Sequence, residues 1–441
     1  MEFPLWYVPF ITAPMLIPLI AVPHVIVAQF AVGAGILLAD LVRRAHRDHS
    51  AERLVYLKGL TRFFVLITLV FGAVTGVGIW WTIGLSSPET TSALIHIFVF
   101  GWAAEWTMFA LELVAAFAFY YLWDRLSPRE HIIIGWIYAG AAWVSLVLIT
   151  GITSFMLTTG SWTSEANFFA AFFNPSFLPQ TLLRTGGSIV IAALAFVFHV
   201  SFRSDRSDLK DLVVRTVSQW ATAGMVLSAV GGVWFMTAMP DHAQLNLMRA
   251  PILLIMTGLN FTVTLLVVAA LAWGVVSGAR WITPPSALML LLAGALAITT
   301  GEFVREGTRK PYRIENYLIA PGVLVKQIPA LQKDGFLAHS RWPRFYLQHA
   351  IGPANRELVD QPARSKTGEA IFQYHCAMCH AFYGYNGIKP ILQPWTPQLI
   401  KDGVRNLHRT NPAMPPWLGT AAERDFLAVY LIQLSEEARA Q

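Results

Sequence analysis

Cysteine is nearly missing, with two residues in a chain of 441. That excludes a disulfide-stapled scaffold and any zinc ribbon or metal cluster that needs four thiolates. Charge is scarce as well. Asp, Glu, Lys and Arg supply 13% of the residues against 55% hydrophobic ones, and the mean hydropathy is +0.51; about a quarter of an ordinary soluble domain is charged. The chain is therefore read as a membrane protein. The 32 basic residues outnumber the 26 acidic ones, but they are spread over several connections and not gathered in one patch. No nucleic-acid partner is expected. Internal repeats and low-complexity tracts do not occur.

What the chain does have is eight apolar stretches, each near the roughly 20 residues that cross a bilayer core. They cover residues 14–42, 60–84, 92–122, 131–155, 178–202, 214–238, 248–277 and 284–303. The expected fold is all-α: a polytopic membrane helix bundle of about eight transmembrane helices over residues 1–311, an extramembrane connector over 312–360, and a small helical domain over 361–441. Basic residues follow the odd-numbered spans. Arg43, Arg44, Arg47, Arg53, Lys58 and Arg62 come after the first, while Arg125, Arg129, Arg203, Arg206, Lys210 and Arg280 come after the third, fifth and seventh. Positive-inside bias then puts those connections in the cytoplasm of a prokaryotic inner membrane and both chain ends on the outer face. Met1-Glu2-Phe3-Pro4 shows no basic n-region or small-residue cleavage site, so the first span is expected to stay in the mature protein.

Both cysteines fall in Cys376-Ala377-Met378-Cys379-His380. This spacing suits two thioether bonds to haem vinyl groups, with the adjacent imidazole on the iron; a chance match or a redox CxxC are the competing readings. Around it, Gly368 and Phe372 stand eight and four residues before Cys376, as on a helix packed over the macrocycle. Asn411-Pro412-Ala413-Met414-Pro415-Pro416 offers a thioether on a stiff loop, and a final amphipathic helix carries Phe426 and Tyr430. Met414 is the expected sixth ligand, against a plain packing methionine. Residues 361–441 resemble a class I cytochrome c, which implies covalent haem c on the outer face of the membrane.

Ionisable groups inside spans need a reason, because each carboxylate at a helix centre costs about 2.5–3.5 kcal/mol. His24 lies in the first span, and Glu105 and Glu112 share the third, seven residues apart and so on one face. The two acids suit a proton path towards a buried site, or pair structurally with neighbouring helices; for His24 the alternative is an interhelical hydrogen bond. Interfacial His96 and His199 are weaker candidate ligands. At the outer end of the eighth span runs Glu302-Phe303-Val304-Arg305-Glu306-Gly307-Thr308-Arg309-Lys310-Pro311-Tyr312.

Taken together, His24, Gly72-Ala73-Val74-Thr75-Gly76, Glu105 and Glu112 before Trp123-Asp124-Arg125, and Glu306 before Arg309 and Pro311 make residues 10–315 resemble subunit I of cytochrome bd oxidases. The resemblance implies that His24 and Glu306 serve the two haems of the oxygen-reducing site, that Glu105 and Glu112 serve haem binding and proton delivery, and that Arg309 belongs to the cofactor site. It implies one or more haems b, with haem d as a further option, and a second multi-helix membrane subunit. Two departures concern the electron-donor side. Met256 stands where the family has a low-spin haem ligand, but Arg184 occupies the partner histidine's position; and only Pro240 to Arg249 joins the sixth and seventh spans, where quinol-oxidising members have a long loop. Arg184 is read either as the partner of a haem propionate or as half of an ion pair with a carboxylate. The expected function is a membrane oxidoreductase subunit that takes electrons from a soluble or membrane-bound cytochrome or other redox partner through haem c and reduces oxygen. The alternative is a non-catalytic electron-transfer subunit of a larger respiratory complex.

Overall fold

The computed structural model describes residues 10–11, 13–203, 208–339, 361–384 and 386–440. Arg206 and the connector residues 340–360 lie outside them. The described residues form two compact units, one drawing on 21–78 and 95–307, the other on 79–94 and 308–441.

All eight expected spans are helices long and apolar enough to cross a membrane. They comprise α1 (Ala13–Arg47), the run α2 (Ala51–Val65) and α3 (Ala73–Ser86), α5 (Val99–Tyr121), α6 (Pro128–Ser154), α9 (Phe177–Ser201), α10 (Asp208–Ala238), α12 (Pro251–Ser277) and α13 (Pro284–Arg309). The second and third spans differ most from the sequence reading. The second begins earlier and holds a π-helical segment, Leu66–Gly72, between α2 and α3; such segments recur at functional sites. The third is broken at Phe98, where non-helical backbone (φ −115°, ψ 30°) separates α4 (Pro88–Ile97) from α5. Phe98 is fully buried against Phe155 and Phe168. Short helices α7 (Trp162–Glu165), α8 (Phe168–Phe172) and α11 (Asp241–Arg249) lie in the connections.

In the first unit α1 and α9 run through the middle, and Leu37, Leu38, Phe64, Phe119, Leu194 and Phe196 belong to its core. Small residues let the helices touch. A Cβ at Gly33 would meet the Ser188 carbonyl oxygen at 1.9 Å, and one at Gly186 the Gly224 carbonyl oxygen at 2.1 Å. Helices in lipid associate by such backbone approach, since burying apolar side chains from lipid gains little. Local signals set the ends: α6 starts with a Ser127–Glu130 capping box followed by Pro128.

Among the described residues, the second unit departs from all-α only in a three-stranded antiparallel sheet, β1 (Tyr312–Ile314), β2 (Leu318–Ile319) and β3 (Val323–Leu324), in the order β1-β2-β3. Strands of two or three residues carry no periodicity that a sequence pattern would show. Next come α14 (Ile328–Asp334) and α15 (Phe336–His339), then α16 (Gln361–His375), α17 (Ile388–Leu392), α18 (Pro397–Arg405), α19 (Leu407–Thr410) and α20 (Ala421–Ala440). Gly368 lets α16 cross α20: a Cβ there would sit 2.2 Å from the Phe426 carbonyl oxygen and 2.6 Å from Tyr430. Phe372, Leu427, Tyr430 and Leu431 fill the core, which Phe336 of the connector joins. Buried Glu423 accepts from the Thr420 backbone N–H (2.7 Å), capping α20, and from the Leu337 N–H (2.8 Å), which ties the connector to it.

Candidate functional site

The Cys376–His380 motif forms the turn that ends α16. The backbone N–H of Cys376 donates to the Phe372 carbonyl (2.8 Å) and that of His380 to the Cys376 carbonyl (2.8 Å). Both cysteines are unpaired thiols. Burial, with Cys379 beside it, pushes the Cys376 thiol up to about 12. His380 Nδ1 lies 3.1 Å from the Asn386 carbonyl oxygen, which can only accept, so Nδ1 carries the proton and Nε2 is the nitrogen left for iron. Burial lowers the pKa of this imidazole, against the opposing effect of the Asn386 carbonyl, and it stays neutral as ligation requires. Asn386 is clamped in turn, its Nδ2 donating to the Cys379 carbonyl at 2.7 Å. On the other segment Met414 is half-buried, and its carbonyl accepts from His408 Nδ1 at 2.9 Å, a brace on the proline-flanked loop that sequence reasoning missed. This donor set fits a covalent haem c.

In the membrane unit, His24 Nδ1 is 3.1 Å from both the Gly72 carbonyl oxygen and Thr75 Oγ1. Gly76 lies under the ring, where a Cβ would stand 3.1 Å from Cε1. The π segment and the Gly72–Gly76 stretch therefore cradle the imidazole by one edge and leave Nε2 outside these contacts, an arrangement that would fit haem iron. Glu306 is half-buried, one turn beyond Glu302 and close enough to feel both Glu302 and Arg305 electrostatically. Arg309 is buried and donates to the Arg313 carbonyl at 2.7 Å.

Glu105 accepts from Ser145 Oγ (3.1 Å) and Glu112 from the Tyr138 hydroxyl (3.0 Å), both donors on α6. The sequence had marked the two acids but not their partners, which come from another helix. Arg184 forms the ion pair that was one of its two readings: its guanidinium is 3.3 Å from Glu302, which Arg305 holds at 2.8 Å from the other side. With Arg184 so committed, Met256, half-buried on α12, faces no histidine at the family's position. The residues present do not fit a His/Met low-spin haem there. His199 is taken by Tyr56 (3.2 Å) and His96 is exposed. Asp40, buried within the first span, was overlooked; Arg43, Arg44 and Trp220 satisfy it. Among the described residues no three His, Cys, Asp or Glu side chains converge to hold a bare metal ion.

Residues 15–250 match the family described as cytochrome bd terminal oxidase subunit I, and residues 363–431 match the one described as cytochrome C oxidase, cbb3-type, subunit III. The fold is similar to the structure of bd oxidase from Geobacillus thermodenitrificans, with a TM-score of 0.62 at 16% identity over 72% of this chain and 92% of that one. Likeness at that identity concerns the fold. No curated protein matches the chain.

Proposed function

We infer the function from one premise: this chain belongs to the cytochrome bd terminal oxidase subunit I family, whose match spans residues 15–250 of its 441. With the cytochrome c domain that follows, it is a haem-containing respiratory electron-transfer protein integral to the membrane. The finer reading is cytochrome c-linked reduction of oxygen, with the cytochrome c domain on the outer face. His380 and Met414 would hold the iron of haem c, joined through Cys376 and Cys379. His24 and Glu306 would hold membrane haems, and Arg309 would support haem binding. Haem bound at these residues would supply one-electron transfer and the binding of a small gas. The chain contributes orientation and protons: Gly72 and Thr75 fix the His24 tautomer, and Glu112 and Glu105 move protons inward.

The observation that carries this reading is the pair of membrane carboxylates held by hydroxyls. A structural pair would use cations, as Arg184, Glu302 and Arg305 do in the same bundle. The outward apolar side chains of α5 and α12, such as Trp106, Phe117, Phe261 and Trp273, suit lipid and a second multi-helix subunit. A reduced-minus-oxidised spectrum with and without carbon monoxide tests the reading. A high-spin haem that binds carbon monoxide is expected, whether of b or d type; low-spin haems alone would refute it.

The Arg184 ion pair favours a second reading, a non-catalytic subunit that relays electrons inside a larger respiratory complex. The same spectrum, showing haem c and no carbon monoxide-binding haem, would select it.

A further inference from the structure

The turn from α1 into α2 carries more arginine than its acids neutralise. Arg43 and Arg44 share Asp40, which is buried and also accepts from Trp220. Asp48 is shared in the same way, by Arg47 Nε at 3.1 Å and Arg53 Nη1 at 2.6 Å. Four guanidinium groups thus face two carboxylates, and the nearby Glu52 is turned to Arg203 at 4.0 Å. A guanidinium presents five N–H donors in a planar fork. Arg44 and Arg47 each use only Nε on their aspartates, so the terminal nitrogens of both have no hydrogen-bond acceptor among the described residues.

Three of these arginines close round a cavity. Arg44, Arg47 and Arg53, with Asp48, form its polar side, and its volume of ≈ 70 Å³ is several times the least that admits one water. The opposite side is apolar. Leu41 of α1, Leu57 of α2, and Leu209 and Val213 of α10 line it, each at most 4% exposed. Val55, next to the lining Tyr56, is 74% exposed, so an apolar outer surface starts at the same level of α2. Positive-inside bias accounts for arginine near this end of a span. It does not account for arginine and buried leucine converging on one concavity.

We propose that this cavity binds an anionic phospholipid, with Arg44, Arg47 and Arg53 on its phosphodiester and Leu57, Leu209 and Val213 against its apolar part. The arginine fork matches phosphate oxygens two at a time, and basic pockets between transmembrane helices are suited to anionic headgroups. A free phosphate would use the arginines and leave the apolar wall without a function; a lipid uses both. Seated there, the lipid joins α10 to the α1–α2 turn.

The test uses the full-length protein with its haems, stripped of lipid in a neutral detergent and titrated with phosphatidylglycerol or phosphatidylcholine in native mass spectrometry. Arg47→Gln and Arg53→Gln are each expected to weaken the tightest phosphatidylglycerol binding about fivefold, and together about 25-fold. Phosphatidylcholine binding and haem spectra stay as they were. Asp48→Asn is expected to tighten phosphatidylglycerol binding, because it removes the carboxylate that competes for the same two guanidinium groups. If the arginines serve only to pair Asp48, phosphatidylglycerol binds the double variant within about twofold of the unsubstituted protein and Asp48→Asn no more tightly; that result overturns the proposal. Excess inorganic phosphate should leave the lipid in place, and displacement would assign the cavity to free phosphate and overturn the proposal as well. Should the double variant lose its haems, Arg47→Gln, at an exposed side chain, and Asp48→Asn decide.

Discussion

Tyr138 donates its hydroxyl to Glu112 at 3.0 Å, and the contact repeats one register step away, where Ser145 donates to Glu105 at 3.1 Å. From 105 to 112 the chain advances seven residues along α5; from 145 to 138 it steps back the same number along α6, as antiparallel helices require. Each acid therefore meets a hydroxyl at the same height. A carboxylate with a hydroxyl partner and no cation can gain and lose a proton without breaking an ion pair.

Tyr138→Phe should reduce oxygen turnover by about tenfold, with haem spectra intact. In a Glu112→Gln background the same substitution should cost nothing further, because residues acting as one unit are not additive. Oxygen uptake by the two single variants and the double variant measures this; a full additional loss in the double would show that Tyr138 acts elsewhere.

Gly76→Val places branched carbon against a His24 ring that already stands 3.1 Å from the position of a Cβ. The imidazole is displaced from Gly72 and Thr75, and one membrane haem should be lost while haem c remains. The ratio of non-covalent to covalent haem in an extract is the readout. An unchanged ratio would remove His24 from the ligand set.

Glu306→Ala and His380→Ala should have opposite effects. The first is expected to lose a membrane haem and keep the haem c spectrum; the second should disturb haem c and spare the membrane haems. Retention of every haem in Glu306→Ala would end its assignment as a ligand.

His375 gives the cytochrome c unit a pH dependence. Burial among Phe336, Tyr374 and Trp417 pushes it down to about 3 from an ordinary 6.5. As the pH falls below the unfolded value, the unfolded chain binds a proton that the folded one refuses. Stability is thus fully present above about pH 6.5 and declines towards pH 3, by at most about 1.4 kcal/mol per pH unit. Denaturant midpoints of the full-length protein followed by haem c absorbance should fall between pH 7 and pH 5, and less so in His375→Phe. Equal slopes in the two proteins would contradict this.

Much of the architecture was legible because its signals are local. Long apolar runs announce spans wherever their neighbours are, and the thioether spacing of Cys376, Cys379 and His380 lies within five residues. Gly368 and Phe372 were singled out for a helix packed over the macrocycle and Tyr430 for a final amphipathic helix; that these two helices cross at Gly368 came from the fold. The break at Phe98 went unseen because a single non-helical residue does not interrupt hydropathy. Glu423 passed as an ordinary helix residue, since its second task, holding the Leu337 N–H, depends on a distant segment.

The amino-acid sequence by itself determined that the chain enters lipid eight times and carries a haem c motif after the last span, because both follow from composition and spacing summed over neighbouring residues. Only the tertiary structure decided that Arg184 closes an ion pair with Glu302, that Gly72 orients His24, and that Ser145 and Tyr138 serve the two acids. Those partners lie 26 to 118 residues apart, and their meeting depends on how closely glycine and serine let the helix backbones approach. That register is a property of packed surfaces, which a linear hydropathy pattern does not contain.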